Sequence, residues 1–305
     1  MQVGMLQALT ARGIIPDLVI GTSAGALNAT YIAGHGVGVE SLDQLAAIWT
    51  GLRRSDVFPV RPLRLAAAAL GRVPSLCDDG VLRRLIARHL PFDRLESASI
   101  PVRVIATDVR SGDEVVLAAG NVVDAVMASA AIPAVFPTVR IAGRDLADGG
   151  VADNAAISQA VACGADRIYV LPTGYACALD DAPATVLSSA LHALTLLIEQ
   201  RLILEVAHYA DRADIRVLPP LCPLSTGAAD FHHGAELIDR ARRATSGWLE
   251  TPRARTAHPE AVLSLHDHHP GSRKPSPEPV PDATKASTPR RRFPCESSRY
   301  AQRSR

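Results

Sequence analysis

The stretch Asp17-Leu18-Val19-Ile20-Gly21-Thr22-Ser23-Ala24-Gly25 decides how this chain is read. Asp17–Gly21 is a short apolar run ending at a glycine, which suits a buried strand, and Ala24–Ala33 reads as a helix. A serine between glycines at a strand-to-helix turn is the context of a nucleophile elbow. Such a turn is tight, so glycines are expected where a Cβ would clash. Ser23 then projects from the end of the strand at the positive end of a helix, which favours developing negative charge. Gly21, Thr22, Ala24 and Gly25 form the elbow, and the Ala24 N–H is a candidate oxyanion donor. A turn that only packs a strand on a helix has the same composition.

Strand and helix patterns alternate on both sides of the elbow. Val3, Leu6 and Leu9 predict a helix, and Ser41 with Gln44 predicts a capping box for a helix over Leu42–Trp49. Val81–Leu90 is amphipathic. Val102–Val109 and Glu114–Ala118 read as strands, and Val122–Ala130 as a helix capped by Asn121. Ile157–Cys163 predicts a helix, Arg167–Leu171 a strand, Ile215–Leu218 a last strand and Ala235–Trp248 a last helix. Leu187, Ala190, Leu191, Leu194, Leu197, Ile198 and Leu202 predict one apolar face of a long helix. The alternation implies an α/β fold with a mostly parallel sheet covered on both faces.

Of 305 residues, 48% are hydrophobic, enough for a core without a metal or disulfide staple. A formal net charge of +1 argues against a nucleic-acid binder. The charge is uneven: residues 251–305 hold 11 Lys+Arg against 5 Asp+Glu, and residues 1–250 hold 21 against 26. Nine prolines fall in those last 55 residues, so 1–250 is expected to be the globular domain and 251–305 a disordered tail. His266, His268 and His269, and Arg290–Arg292, are read as solvated runs within that tail. Cys77, Cys163, Cys177, Cys222 and Cys295 are scattered and odd in number, which predicts free thiols in a reducing compartment. No run is long enough for a membrane-spanning helix and no signal peptide is evident, so the expected location is cytoplasmic, peripheral at a membrane. Arg61–Leu70 is apolar with basic flanks, the composition of a lid or membrane-facing helix, although a buried helix is the preferred reading.

A serine needs a base. Asp148 precedes Gly149 and Gly150, which would let the chain turn while the carboxylate points back at Ser23. Asp145 and Asp153 are rivals, and Asp-Gly pairs are also ordinary turn residues. His35, His89, His192, His208, His232 and His233 lie in no marking motif, and no metal site is apparent.

Gly21-Thr22-Ser23-Ala24-Gly25-Ala26-Leu27 together with Asp148-Gly149-Gly150-Val151-Ala152-Asp153-Asn154 resembles the patatin-like phospholipases. Ala106-Thr107-Asp108 with Ser111-Gly112, and Ser129 through Pro137, resemble further stretches of that family, so the likeness covers about residues 1–175. It implies a three-layer α/β/α fold and a lipid acyl hydrolase with a Ser23–Asp148 dyad. An acyl group would pass to Ser23 and water would release the fatty acid, with no cofactor and with transient membrane-surface contact.

Two departures qualify the resemblance. The family begins with a strand and a glycine-rich loop that supplies oxyanion donors, and this sequence starts beyond them. Gly4 falls within the next helix and cannot substitute. Either the true start lies upstream, which is the reading preferred here, or the chain is poorly active. Asn154-Ala155-Ala156 stands where the family more often has Asn-x-Pro. The competing expectations are a Ser–His–Asp hydrolase using His192, His208 or His232, and a catalytically impaired lipid-binding or scaffold protein.

Overall fold

The computed structural model describes residues 1–173, 184–222, 230–251 and 258–263. The strands are β1 (Val19–Thr22), β2 (Val102–Asp108), β3 (Glu114–Leu117), β4 (Val139–Ile141), β5 (Arg144–Asp148), β6 (Arg167–Val170) and β7 (Asp214–Val217). The helices are α1 (Gln2–Thr10), α2 (Ala24–His35), α3 (Val39–Gly51), α4 (Arg54–Val57), α5 (Pro62–Ala69), α6 (Gly80–His89), α7 (Val122–Ser129), α8 (Ile157–Ala162), α9 (Val186–Tyr209) and α10 (Gly234–Leu249).

Strand β2 organises the larger sheet. It pairs in parallel with β1 and antiparallel with both β3 and β5, and β4 forms a hairpin with β5. The α/β class therefore holds, but this sheet is mixed where a mostly parallel one was expected. The difference lies in the hairpin. Ala142 and Gly143 both have positive φ (49° and 80°), as a two-residue primed turn requires. Val102, Val104 and Ala106 of β2 enter a core with α2, α3, α6 and α7. On the opposite face Ile105 is fully buried, and a Cβ at Gly149 would collide with its carbonyl.

Strands β6 and β7 form a second, parallel pair. Alternate side chains serve its two faces, as a pleated strand buried on both sides requires. Val170, Ile215 and Val217 pack with α8 and α9, while Tyr169 and Leu171 pack with α1 and α10. Among the described residues β1 and β6 each pair on one side only, and their other edges line one cavity of about 1190 Å³. Leu6 and Leu9 of α1 form another wall of it. Gln2 spans this region: its amide donates to the Leu171 carbonyl at 2.9 Å and accepts from Asn28 at 2.7 Å.

Several expectations change. Helix α3 starts at Val39, and Ser41 Oγ donates to the Gly36 carbonyl instead of capping a helix, so no Ser41/Gln44 box forms. Leu197 lies outside the apolar face of α9, whereas Leu202 and Val206 are buried. Cys222 is disulfide-bonded, against the expectation of free thiols, while Cys77 is a free thiol; spacing along a chain does not report distance in space. Pro259–Leu263, expected within a disordered tail, forms a 3-10 turn whose Leu263 is fully buried against α9 and β7. The His266–His269 and Arg290–Arg292 clusters lie outside the described residues. Among the described residues no helix is long and apolar enough to cross a membrane.

Gly4 sets the approach of α1 to α10: a Cβ there would fall on the Ile238 carbonyl. Gly4→Ala is therefore expected to destabilise the fold by about 1–3 kcal/mol, and a thermal melt showing no loss would contradict that packing.

Candidate active site

Ser23 follows β1 directly and is the residue before α2. Its φ of 54° and ψ of −123° put a non-glycine residue in strained backbone, a feature that concentrates at functional sites. The strain is held in place by neighbours. Ser23 N–H donates to Ser129 Oγ at 2.8 Å. Gly21 is obligatory, because a Cβ would strike the Gly25 carbonyl and Ala26. Gly25 is not: a Cβ there would meet only the Gln2 side chain, at 3.5 Å. The expectation that both glycines avoid a clash is thus right for one and wrong for the other.

Strand register brings Asp148 to Ser23. Thr22 pairs with Ile105, so Ser23 comes level with Ala106, and Asp148 pairs with Ala106 from the other side. Ser23 Oγ donates to Asp148 Oδ2 at 2.7 Å. The other carboxylate oxygen accepts Gly150 N–H at 2.8 Å, so the turn orients the group it carries. Asp148 N–H donates to the Ala131 carbonyl at 3.0 Å, and its carbonyl accepts Thr107 Oγ1 at 2.8 Å. Burial pushes the Asp148 carboxyl above the usual carboxylate range; the hydrogen bonds from Ser23 and Gly150 oppose that shift.

Sequence reasoning placed Thr107 and Ser129 within family-like stretches but gave neither a role at the site. Ser129 is a fully buried hydroxyl at the end of a helix whose other buried residues are all apolar, and that mismatch was the available signal. Ala24 is exposed at the first turn of α2, where backbone N–H groups have no intrahelical partner. Thr22 lies beneath the elbow, with its hydroxyl turned to the Asp153 carbonyl at 3.3 Å.

The rival groups are elsewhere. Asp145 faces Arg110 and Arg140. His35 stacks on Tyr31, His208 lies edge-on to Tyr209, and His233 sits between Asp230 and Glu236. No histidine among the described residues, His89, His192 and His232 included, is hydrogen-bonded to Ser23 or Asp148. Among the described residues no group of His, Cys, Asp or Glu side chains could hold a metal ion.

A family model described as patatin-like phospholipase matches residues 1–161, a span that holds both the elbow and the Asp148 turn. The chain belongs to the patatin-like phospholipase family. Two uncharacterized NTE family proteins of Mycobacterium tuberculosis, Rv2565 and Rv1063c, are each 30% identical to it, over 154 and 152 residues. Each match covers 50% of this chain but only 24% and 39% of those relatives, so this patatin-like chain spans well under half of their length. The crystal structure of VipD from Legionella pneumophila aligns over 80% of this chain and 64% of its own, at 15% identity and a TM-score of 0.37.

The two elbow glycines are separable by experiment. Gly21→Ala is expected to lower the melting temperature sharply. Gly25→Ala is expected to leave it unchanged or raise it, since alanine in a helix is favoured by about 0.5–1 kcal/mol. Equal melting shifts in the two variants would refute this assignment of space around Ser23.

Proposed function

We propose that this patatin-like chain is a serine acyl hydrolase that cleaves lipid esters with Ser23 as nucleophile and Asp148 as base. The single observation that carries the reading is the 2.7 Å hydrogen bond from Ser23 Oγ to a buried carboxylate, made on a strained elbow. In the scheme, Oγ attacks the acyl carbon and its proton passes to Asp148. The oxyanion forms beside the Ala24 N–H at the head of α2. Collapse breaks the ester bond, and Asp148 returns the proton to the departing alcohol. Water then attacks the acyl-enzyme with Asp148 again as base, which releases the fatty acid and frees Ser23. Membership of a phospholipase family supports a lipid substrate. That no histidine among the described residues is hydrogen-bonded to the pair supports a dyad over a Ser–His–Asp triad.

A fluorophosphonate probe tests the assignment. Labelling should vanish in Ser23→Ala and fall by about 10²–10⁴ in Asp148→Asn. Labelling that survives Ser23→Ala would refute the nucleophile. A stepwise loss on replacing His192, His208 or His232 would favour the triad, and no labelling of folded protein would favour a scaffold. The pH dependence has a definite sign. The raised Asp148 group is neutral at low pH, which stabilises the fold. That stability is lost, and reactivity gained, as pH rises from the ordinary Asp range through the raised value. Asp148→Asn should therefore melt no lower than wild type at pH 8 while reacting far more slowly.

The reading extends to access from a membrane surface. Helix α5 has no buried residue: Leu63 is 87% exposed and Leu70 68%. Arg61 and Arg72 flank it, and Arg64 anchors it through Ser75 Oγ at 2.7 Å. Leu76 and Cys77 N–H groups bind the carbonyls of Ala134 and Val135, in the segment that follows Ser129. An apolar ridge between cations fits an anionic lipid surface. Leu63→Ser with Leu70→Ser is expected to reduce hydrolysis on anionic vesicles several-fold more than hydrolysis of a soluble short-chain ester. Equal losses on both substrates would refute membrane docking by α5.

A further inference from the structure

Helix α9 changes character along its length. Its second half packs into a core, where Leu202 and Val206 are buried with α8, β6 and β7. Its first half is as apolar but lies at the surface. From Val186 to Ile198 there is no Asp, Glu, Lys or Arg, and among the described side chains of that stretch none is fully buried. Leu191, Leu194 and Ile198 are half-buried, and Leu197 is 68% exposed. The Thr195 hydroxyl is turned back onto the Leu191 carbonyl at 2.9 Å, so it is satisfied within the helix. A helix this apolar on all sides is normally enclosed. Here the part left uncovered adjoins the dyad.

A Cβ built on Gly150 would lie 3.1 Å from Asp148 Oδ1 and 3.3 Å from Ile198 Cδ1. The base and the tip of Ile198 therefore flank one glycine, and Ser23 Oγ is hydrogen-bonded to the other oxygen of the same carboxyl group. Val151, the next residue of the turn, is 40% exposed. Leu194 and Leu191 precede Ile198 at helical spacing, so the three line one side of α9. From Ile198 back to Leu191 this strip runs about 10 Å at the rise of an α-helix. Exposed Arg201 ends the apolar run on one side, and Thr185, accepting the Ser188 N–H at 3.1 Å, caps the helix on the other.

We infer that Ile198, with Leu194 and Leu191 behind it and Leu197 at its edge, is the surface on which the acyl chain of the ester lies, and that Ile198 is the specificity-determining residue. The inference rests on the Ser23–Asp148 reading and names the substrate class within it: esters of medium-length or longer unbranched acyl groups. An acyl group on Ser23 Oγ is held beside Asp148, so its alkyl chain has to leave over the surface next to the pair. An alkyl chain carries no hydrogen-bonding group and no charge. A strip free of both takes each methylene out of water without stranding a polar partner. None of these side chains takes part in the proton transfer.

Alkyl fluorophosphonates that differ only in chain length test the inference, because Ser23 Oγ bonds to phosphorus and fluoride leaves whatever the chain. The readout is the rate of Ser23 labelling, expressed as the ratio of octyl to ethyl probe. Wild type is expected to favour octyl by about ten-fold or more, with little further gain for dodecyl, which outruns the strip. Ile198→Ala should lower the ratio by about five-fold. Leu197→Ser, at a position too exposed to threaten the fold, should lower it by about two-fold. Leu204→Ser, at a site 70% exposed but beyond Arg201, should leave it unchanged. A ratio unmoved in Ile198→Ala, or in Leu197→Ser where the first variant does not fold, overturns the inference. An equal fall in Leu204→Ser also overturns it, as a general effect of helix polarity. An intact ratio with activity lost only on anionic vesicles assigns the strip to a membrane surface instead. Folded wild type that no probe labels at Ser23 refutes the nucleophile assignment, and the inference with it; labelling at Ser23 with a flat chain-length profile refutes the inference alone.

Discussion

Strand β2 holds both halves of the site in register. β1 runs parallel to it and β5 antiparallel, so their last residues approach Ala106 from opposite directions. A hydroxyl and a carboxylate that are 125 positions apart then meet above one of the smallest side chains in the sheet. Sheet register is unforgiving: a slip of one residue turns every side chain of a strand to the other face. The core beneath β2 enforces the register, because Val102, Val104 and Ala106 bury one face while Ile105 is covered by Gly149 on the other.

The site carries two unfavourable features that its surroundings must offset. Ser23 occupies strained backbone, and Asp148 is charged in a buried position during the proposed reaction. Both are held from one short segment at the end of α7. Ser129 takes the Ser23 N–H, and two residues later the Ala131 carbonyl takes the Asp148 N–H. Thr107 adds a two-way clip, donating to the Asp148 carbonyl and accepting from the Ala152 N–H at 3.1 Å. These neutral contacts fix geometry without adding a charge that would alter the basicity of Asp148.

Much of this was legible in the residues. The elbow, the Asp148 turn and the Asn121 cap, which accepts the Asp124 N–H at 2.9 Å, all rest on local chemistry. What escaped was non-local or carried by atypical residues. The β4–β5 hairpin turns on Ala142-Gly143, which lacks the Asn-Gly or Asp-Gly signal, so the antiparallel direction of β5 was hidden. The hydroxyl of Ser129 gave no hint of its partner, because that partner is a backbone N–H 106 positions away. Pro259–Leu263 was submerged in the composition of the residues after it, although Leu263, with Val262 packed beside it, anchors the turn in a core. Helix α5 has the alanines and leucines of a buried helix, yet none of its residues is buried; only its surroundings decide.

The cavity between β1 and β6 has a consequence for handling the protein. Its two bordering strands each offer a row of amide and carbonyl groups with no ladder partner among the described residues. Backbone groups of this kind recruit any extended polypeptide regardless of its side chains. At high concentration the adhesive surface is therefore main chain, and self-association should respond to agents that compete for amides more than to those that mask oily patches.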